Sequence, residues 1–201
     1  APHDSNEVFT VTFAFRLHRC GWFLLGGLLA VHAHAQQQLQ PAQSEIVFVS
    51  KQMGVPVEGR FKTFDAQIRF DPAKPTAGQV NFNIDMASAS LGHKETDAEL
   101  VKPDWFHTAK FAKATFQSTA IKPTAPGKLE ITGKLQIKGV SQDVVVPVHL
   151  SQTGGLTTAT GTFVLKRLPF KIGDNEWSDT SMVADDVQVR FKLALSGVAK
   201  F

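Results

Sequence analysis

Between Ile46 and Leu195, run after run of this chain places apolar residues at every second position. A period of two puts one set of side chains on each face of a strand, whereas a helix would need a period near 3.6. Val80, Phe82, Ile84 and Met86 alternate with Asn81, Asn83 and Asp85. Leu129, Ile131, Leu135 and Ile137 share a face with Gly133, and Glu130, Thr132, Lys134 and Gln136 share the other. Ile46 and Phe48, Ala66 to Phe70, Val144 to Leu150, Phe163 with Leu165, and Val187 to Leu195 repeat the pattern. Turn residues punctuate the runs at Asp71-Pro72, Pro75 to Gly78, Pro123 to Gly127, Lys138-Gly139 and Gly154-Gly155, the spacing of an antiparallel meander. One stretch reads as a helix, Lys94 to Val101, stopped by Pro103. About eight antiparallel strands in one domain close into a barrel, which removes free edges and leaves room for one ligand. The expected class is all-β, with the short helix across a barrel mouth or edge.

The N-terminal part follows different rules. Arg16 to Arg19 form a basic flank, Cys20 to Val31 an apolar run, and Ala33-His34-Ala35 a small-x-small cleavage pattern before Gln36. This predicts a secretory signal cut after Ala35 and a periplasmic destination. Residues 1–35 are then a removed extension plus signal, 36–43 a polar linker and 44–201 the barrel domain. Residues 1–15 are assigned no role. Cys20 is the single cysteine, so the processed chain would hold no thiol for catalysis, metal binding or redox switching.

Composition narrows the function. A net charge of +3, with 19% charged residues, supplies no basic field for nucleic acid. His93, His107 and His149 are scattered without ligand spacing, and no Gly-x-Ser-x-Gly elbow or phosphate loop occurs, so neither a metal cofactor nor a catalytic set is expected. Asp174, Glu176, Asp179, Asp185 and Asp186 crowd near Trp177, but Gly173 and Asn175 among them read as a loop whose acids form turns. The positive signal is apolar: 16 phenylalanines and no tyrosine give large area without hydroxyls to satisfy. The alternation aims Phe48, Ile68, Phe70, Phe82, Ile84, Phe116, Leu135, Phe163 and Phe191 into the barrel. There they either fill a dry core or line a ligand cavity.

Ordered motifs favour the cavity. Phe48 to Pro72, with Gly59-x-Phe61-x-x-Phe64 and a strand ending Phe70-Asp71-Pro72, resembles the opening of YceI-like domains. Ile84-Asp85 with Ser88, Trp105-Phe106, Phe111, Phe116 to Thr119, and Gly133-Lys134-Leu135 running to Lys138-Gly139-Val140 follow in the order of that family. The resemblance implies a lipocalin-like barrel that holds a polyisoprenoid or an isoprenoid-quinone tail without catalysis. Gln52 stands where many members have histidine, and Glu95 to Leu100 replaces Arg-Asp-x-His-Leu, so the polar groups at the pocket mouth or in a homodimer contact differ here. Arg167 to Gly173 with Glu176-Trp177 resembles a subgroup found near membrane b-type cytochromes, which makes such a cytochrome the protein partner implied. Acting as a quinone-linked accessory of that enzyme, or as a filled barrel working through protein partners, are the alternatives.

Overall fold

The structure, a computed structural model, describes residues 36–201. The export signal and its cleavage after Ala35 lie outside the described residues. Eleven strands and one α-helix follow in the order β1 (Gln38–Leu39), β2 (Glu45–Gln52), β3 (Val55–Phe61), β4 (Phe64–Arg69), β5 (Gln79–Asp85), β6 (Ala89–Ser90), α1 (Lys94–Leu100), β7 (Lys113–Ala125), β8 (Lys128–Ile137), β9 (Val140–Thr153), β10 (Leu156–Lys166) and β11 (Asp186–Ser196). They form one antiparallel sheet in the order β4-β5-β7-β8-β9-β10-β11-β2-β3-β6, with β1 added to β11. The architecture is the expected all-β, lipocalin-like barrel with one short helix.

Its strand count exceeds the expected eight for physical reasons. β1 and β6 are two-residue ladders too short to leave a periodic trace. β3 carries Pro56, Glu58, Gly59 and Arg60, so its inner row Val57, Gly59, Phe61 lacks continuous apolar character. β7 slips register between Ser118 and Ala120 and again between Pro123 and Ala125. A bulge moves later side chains to the opposite parity, which is why Phe116 and Ile121 both point inward though five residues apart.

Segment 36–43, expected to be a linker, is instead part of the barrel wall. β1 pairs with Leu195 and Ser196 of β11, and a 3₁₀ turn at Pro41–Gln43 leads into β2. The Gln37 amide imitates a ladder pair with the end of β4, donating to Phe70 O at 2.5 Å and accepting from Phe70 N at 2.8 Å. This exchange ties the open edge of β4 back to the β11 side of the sheet and satisfies groups that an edge strand would leave bare.

At the other end the sheet is capped by α1 and the segment after it. Leu100 and Phe106 bury themselves beside Phe48, Met86 and Ala114. The Asp97 carboxylate fastens α1 to β6 by accepting from Ser90 Oγ at 2.7 Å and Leu91 N at 2.6 Å. These two hydrogen bonds, the Ser90 bond first, hold its carboxyl below the ordinary value near 3.8.

Candidate functional site: a two-chamber apolar lumen

The barrel encloses two abutting chambers. The lower, about 150 Å³, is walled by apolar side chains from β2, β4, β5 and β7 to β11, with Thr157 as the one polar residue in the lining among the described residues. Thr157 Oγ1 accepts from Gln152 Nε2 at 3.0 Å, so that hydroxyl is already satisfied. The upper chamber, about 340 Å³, lies between Phe48, Met86, Leu100, Phe106 and Ile172. Ile46, Ile84, Leu135, Phe163 and Val189 line both and form the boundary. Exposed Gln52, Thr96, Glu99 and Trp177 mark the upper mouth.

The residues expected in the lumen sit as follows. Ile68, Phe70, Phe82 and Phe116 line the lower chamber; Ile84, Leu135 and Phe163 line both; Phe191 lines the lower chamber; Phe48 lines the upper. Their exposure is informative. Ile68, Phe70, Ile84, Phe116, Phe163 and Phe191 are only half-buried, although their strands' outer rows are the solvent-facing ones. β11, for example, alternates exposed and half-buried residues from Asp186 to Lys192. A filled core would bury such rings against one another. Here they keep accessible surface because they face space.

Glycine seats keep that space open. Gly59, Gly133 and Gly161 lie under the rings of Phe48, Phe116 and Phe191, and a Cβ on any of them would come within 2.4 Å of ring carbon Cζ. Each ring therefore lies back against a neighbouring strand, where a side chain would otherwise push it toward the barrel axis.

The upper end is built on Arg167, which sequence reasoning placed in a motif but gave no role. Its guanidinium is buried and donates from Nε to Ala184 O, from Nη1 to the carbonyls of Ile172 and Gly173, and from Nη2 to those of Trp177 and Val183. Five carbonyls match the five N–H groups of the side chain. Burial pushes its pKa down, and nearby Asp185 opposes that shift. The bonds hold the loop from Leu168 to Val183 against the barrel, where Trp177 lies 5.7 Å from Trp105, centroid to centroid. Lys138, half-buried with its side chain largely shielded, donates to Lys171 O and stands 3.9 Å from Asp174; desolvation lowers its pKa.

Four of the five acids of that loop are spent on structure, Asp174 through its pairing with Lys138. Asp185 accepts from Leu168 N, Asp179 from Ser181 N and Oγ, and Asp186 from Lys166 Nζ. Around the mouth, Met53, Val55, Met182 and Trp177 are exposed apolar residues, and Met53 N donates to Met182 O at 2.8 Å. Among the described residues no three histidines, cysteines or carboxylates converge as metal ligands would.

Alternation could reveal the lumen rows but missed Ser50. It stands in the same inward row as Ile46 and Phe48 and lines the upper chamber, yet a lone serine near a turn reads as a surface residue.

Comparison with known proteins agrees with this geometry. The chain is 36% identical over 141 residues to a UPF0312 protein of Shewanella oneidensis, covering 65% of this chain and 73% of that one. The crystal structure of Burkholderia cenocepacia BcnA is similar at 46% identity and a TM-score of 0.76, covering 78% of this chain and 98% of that one. A polyisoprenoid-binding domain of Saccharophagus degradans superposes with a TM-score of 0.66 at 18% identity, covering 81% of this chain and 99% of the domain, which establishes a shared fold. The profile of the YceI-like domain matches residues 37–195, and the chain belongs to the YceI-like family.

Proposed function

We propose that this protein is an exported, non-catalytic lipid binder that holds a polyisoprenoid or isoprenoid-quinone chain in its lumen, for carriage or sequestration. The observation that carries this reading is the inner row of aromatic and aliphatic side chains, six of the nine expected ones only half-buried, facing two contiguous, almost wholly apolar chambers. The volume of the upper chamber lies in the range of small-molecule sites. The description of the Saccharophagus degradans domain as polyisoprenoid-binding is consistent with it, though at that identity the ligand class rests on the lumen itself.

The energetics suit exchange with a membrane. Each five-carbon isoprene unit gains about 4 kcal/mol on leaving water, at roughly 0.8 kcal/mol per CH₂-like group. In a bilayer the chain has already made that gain. Transfer into an apolar barrel is then close to neutral, and uptake and release are both accessible.

The test is organic extraction and mass spectrometry of protein purified from the periplasm, which should yield a long isoprenoid-type lipid. Phe82→Asp and Phe191→Asp variants that circular dichroism shows to be folded should lose it, because a carboxylate in the lumen is either desolvated or protonated and draws water into the slot. Lys134→Ala, on the outer wall and paired with Asp143 at 2.9 Å, should retain it. Retention at wild-type stoichiometry in both folded Asp variants refutes the proposal.

A further inference from the structure

We infer that the upper chamber contains a head-group site, centred on the Ser50 hydroxyl, that selects an uncharged hydrogen-bonding head and excludes a diphosphate. The inference deepens the lipid-binding reading above and rests on it. The inward row of β2 runs Ile46, Phe48, Ser50, Gln52, turning from apolar to polar toward the mouth. Ser50 Oγ is the one buried side-chain nitrogen or oxygen without a hydrogen-bond partner among the described residues. Its ladder neighbour on β3 is Val57, and Val57 and Val187 share the chamber wall, so neither offers a side-chain donor or acceptor. A buried hydroxyl normally has a partner. Here the group placed to supply one is whatever fills the chamber.

The remaining polar lining decides the charge of that group. It consists of Gln52, Thr96, Glu99 and Arg167. Among the described residues Arg167 is the only cation in the lining, and all five of its N–H groups already point at carbonyl oxygens, whose negative ends surround its charge. No lysine among the described residues lines this chamber. Glu99 at the mouth is already paired, its carboxylate 2.5 Å from Lys102 Nζ, which leaves neither group free, and Thr96 Oγ1 spends its hydrogen on His93 O. A diphosphate would shed its hydration and meet no free cationic donor. A quinone carbonyl or an alcohol needs only one neutral hydroxyl and meets it at Ser50, with the Gln52 amide beyond.

Four probes with chains of the same length separate the cases: menaquinone-4, geranylgeraniol, geranylgeranyl diphosphate and the headless hydrocarbon phytane. Binding to delipidated protein is followed by quenching of Trp105 and Trp177, both in the chamber wall. Wild type should bind the quinone and the alcohol at least about tenfold more tightly than the diphosphate. Ser50→Ala should weaken quinone and alcohol about tenfold while changing phytane less than about twofold, and the delipidated variant should melt no lower than wild type, since it loses an unpaired hydroxyl. Gln52→Lys, at an exposed position, should strengthen diphosphate binding about tenfold or more by supplying the missing cation. Diphosphate binding as tight as the alcohol in wild type, or unchanged quinone and alcohol affinities in Ser50→Ala, overturns the assignment while leaving the lipid-binding reading intact if phytane binds. Failure of all four probes to bind overturns both.

Discussion

Gly59→Ala asks whether the lumen is a built space. A Cβ on Gly59 would lie 2.2 Å from Phe48 Cζ, 2.6 Å from Phe48 Cε2 and 2.8 Å from Leu91 Cδ2, all of them side-chain atoms. Carbon atoms settle near 3.5–4.0 Å apart, so the ring must retreat by more than about 1 Å. It backs onto β3 and can retreat only into the upper chamber of about 340 Å³. Overpacking a closed core costs about 1–3 kcal/mol, and an off-rotamer ring about 0.5–1.5 kcal/mol. With open space in front of it the ring relaxes, so stability should fall by only about 1 kcal/mol. The main loss should be room for ligand. Urea unfolding of delipidated protein measures the first effect, and lipid recovered per protein measures the second, which should drop well below wild type. Phe48→Leu in the same chain should restore lipid, with a coupling of about 1 kcal/mol between the two sites. Gly133 and Gly161 give a less clean test because their added Cβ atoms would also strike the main-chain oxygens of Gln117 and Pro147 at 2.6 and 2.3 Å. Full lipid occupancy in Gly59→Ala, with additive Phe48 and Gly59 effects, would refute the reasoning.

Arg167→Met should strand five carbonyls and cost at least about 3 kcal/mol, at roughly 1–3 kcal/mol for each that stays buried and unpaired. Amide hydrogen exchange should accelerate from Leu168 to Val183 before the strands respond, and Arg167→Lys, with three donors in place of five, should fall between. Asp97→Asn should loosen α1 from β6 at neutral pH. Because hydrogen bonds from Ser90 and Leu91 hold the Asp97 pKa below 3.8 in the folded chain, its contribution is complete above that value and is lost as pH falls through the folded pKa. The thermal midpoints of wild type and variant should therefore differ at pH 7 and converge in strong acid; a constant gap across that range counts against the capping role.

The parts legible in the sequence are those where one side-chain row does one job. β5 and β11 alternate without interruption, and β8 does so apart from Gly133; Phe82, Leu135 and Phe191 on their inner rows line the lumen. Helix α1 was readable from Lys94 because Pro103 stops it and turn residues precede it. β3 was not: it is only seven residues long and carries Pro56, so Gly59, placed inward under Phe48, leaves too few apolar residues to show a period. β7 was hidden by its bulges. The carbonyl cage around Arg167 depends on loop paths from Ile172 to Ala184 that no local pattern encodes. Ser50 shows the limit of alternation as a guide: the pattern gives the side of the strand, and the lack of a partner is a property of what Val57 and Val187 bring to that side.

That limit bears on how a barrel of this kind achieves selectivity. Among the described residues its lower chamber is apolar apart from a threonine already hydrogen-bonded, so on the proposed reading it would distinguish ligands by width and length alone. Methylenes gain almost the same free energy there as in a bilayer, and one methylene more or less changes little against a membrane reference. Discrimination then falls on the few places where the wall is polar, because an unmatched polar group is costly on either partner. In this chain those places are confined to the upper mouth, where Ser50, Gln52, Thr96 and Glu99 stand above Phe48 and Arg167 is saturated. On the proposed lipid-binding reading, the apolar chambers would set which chains can enter, and that short polar arc would set which heads they can bring with them.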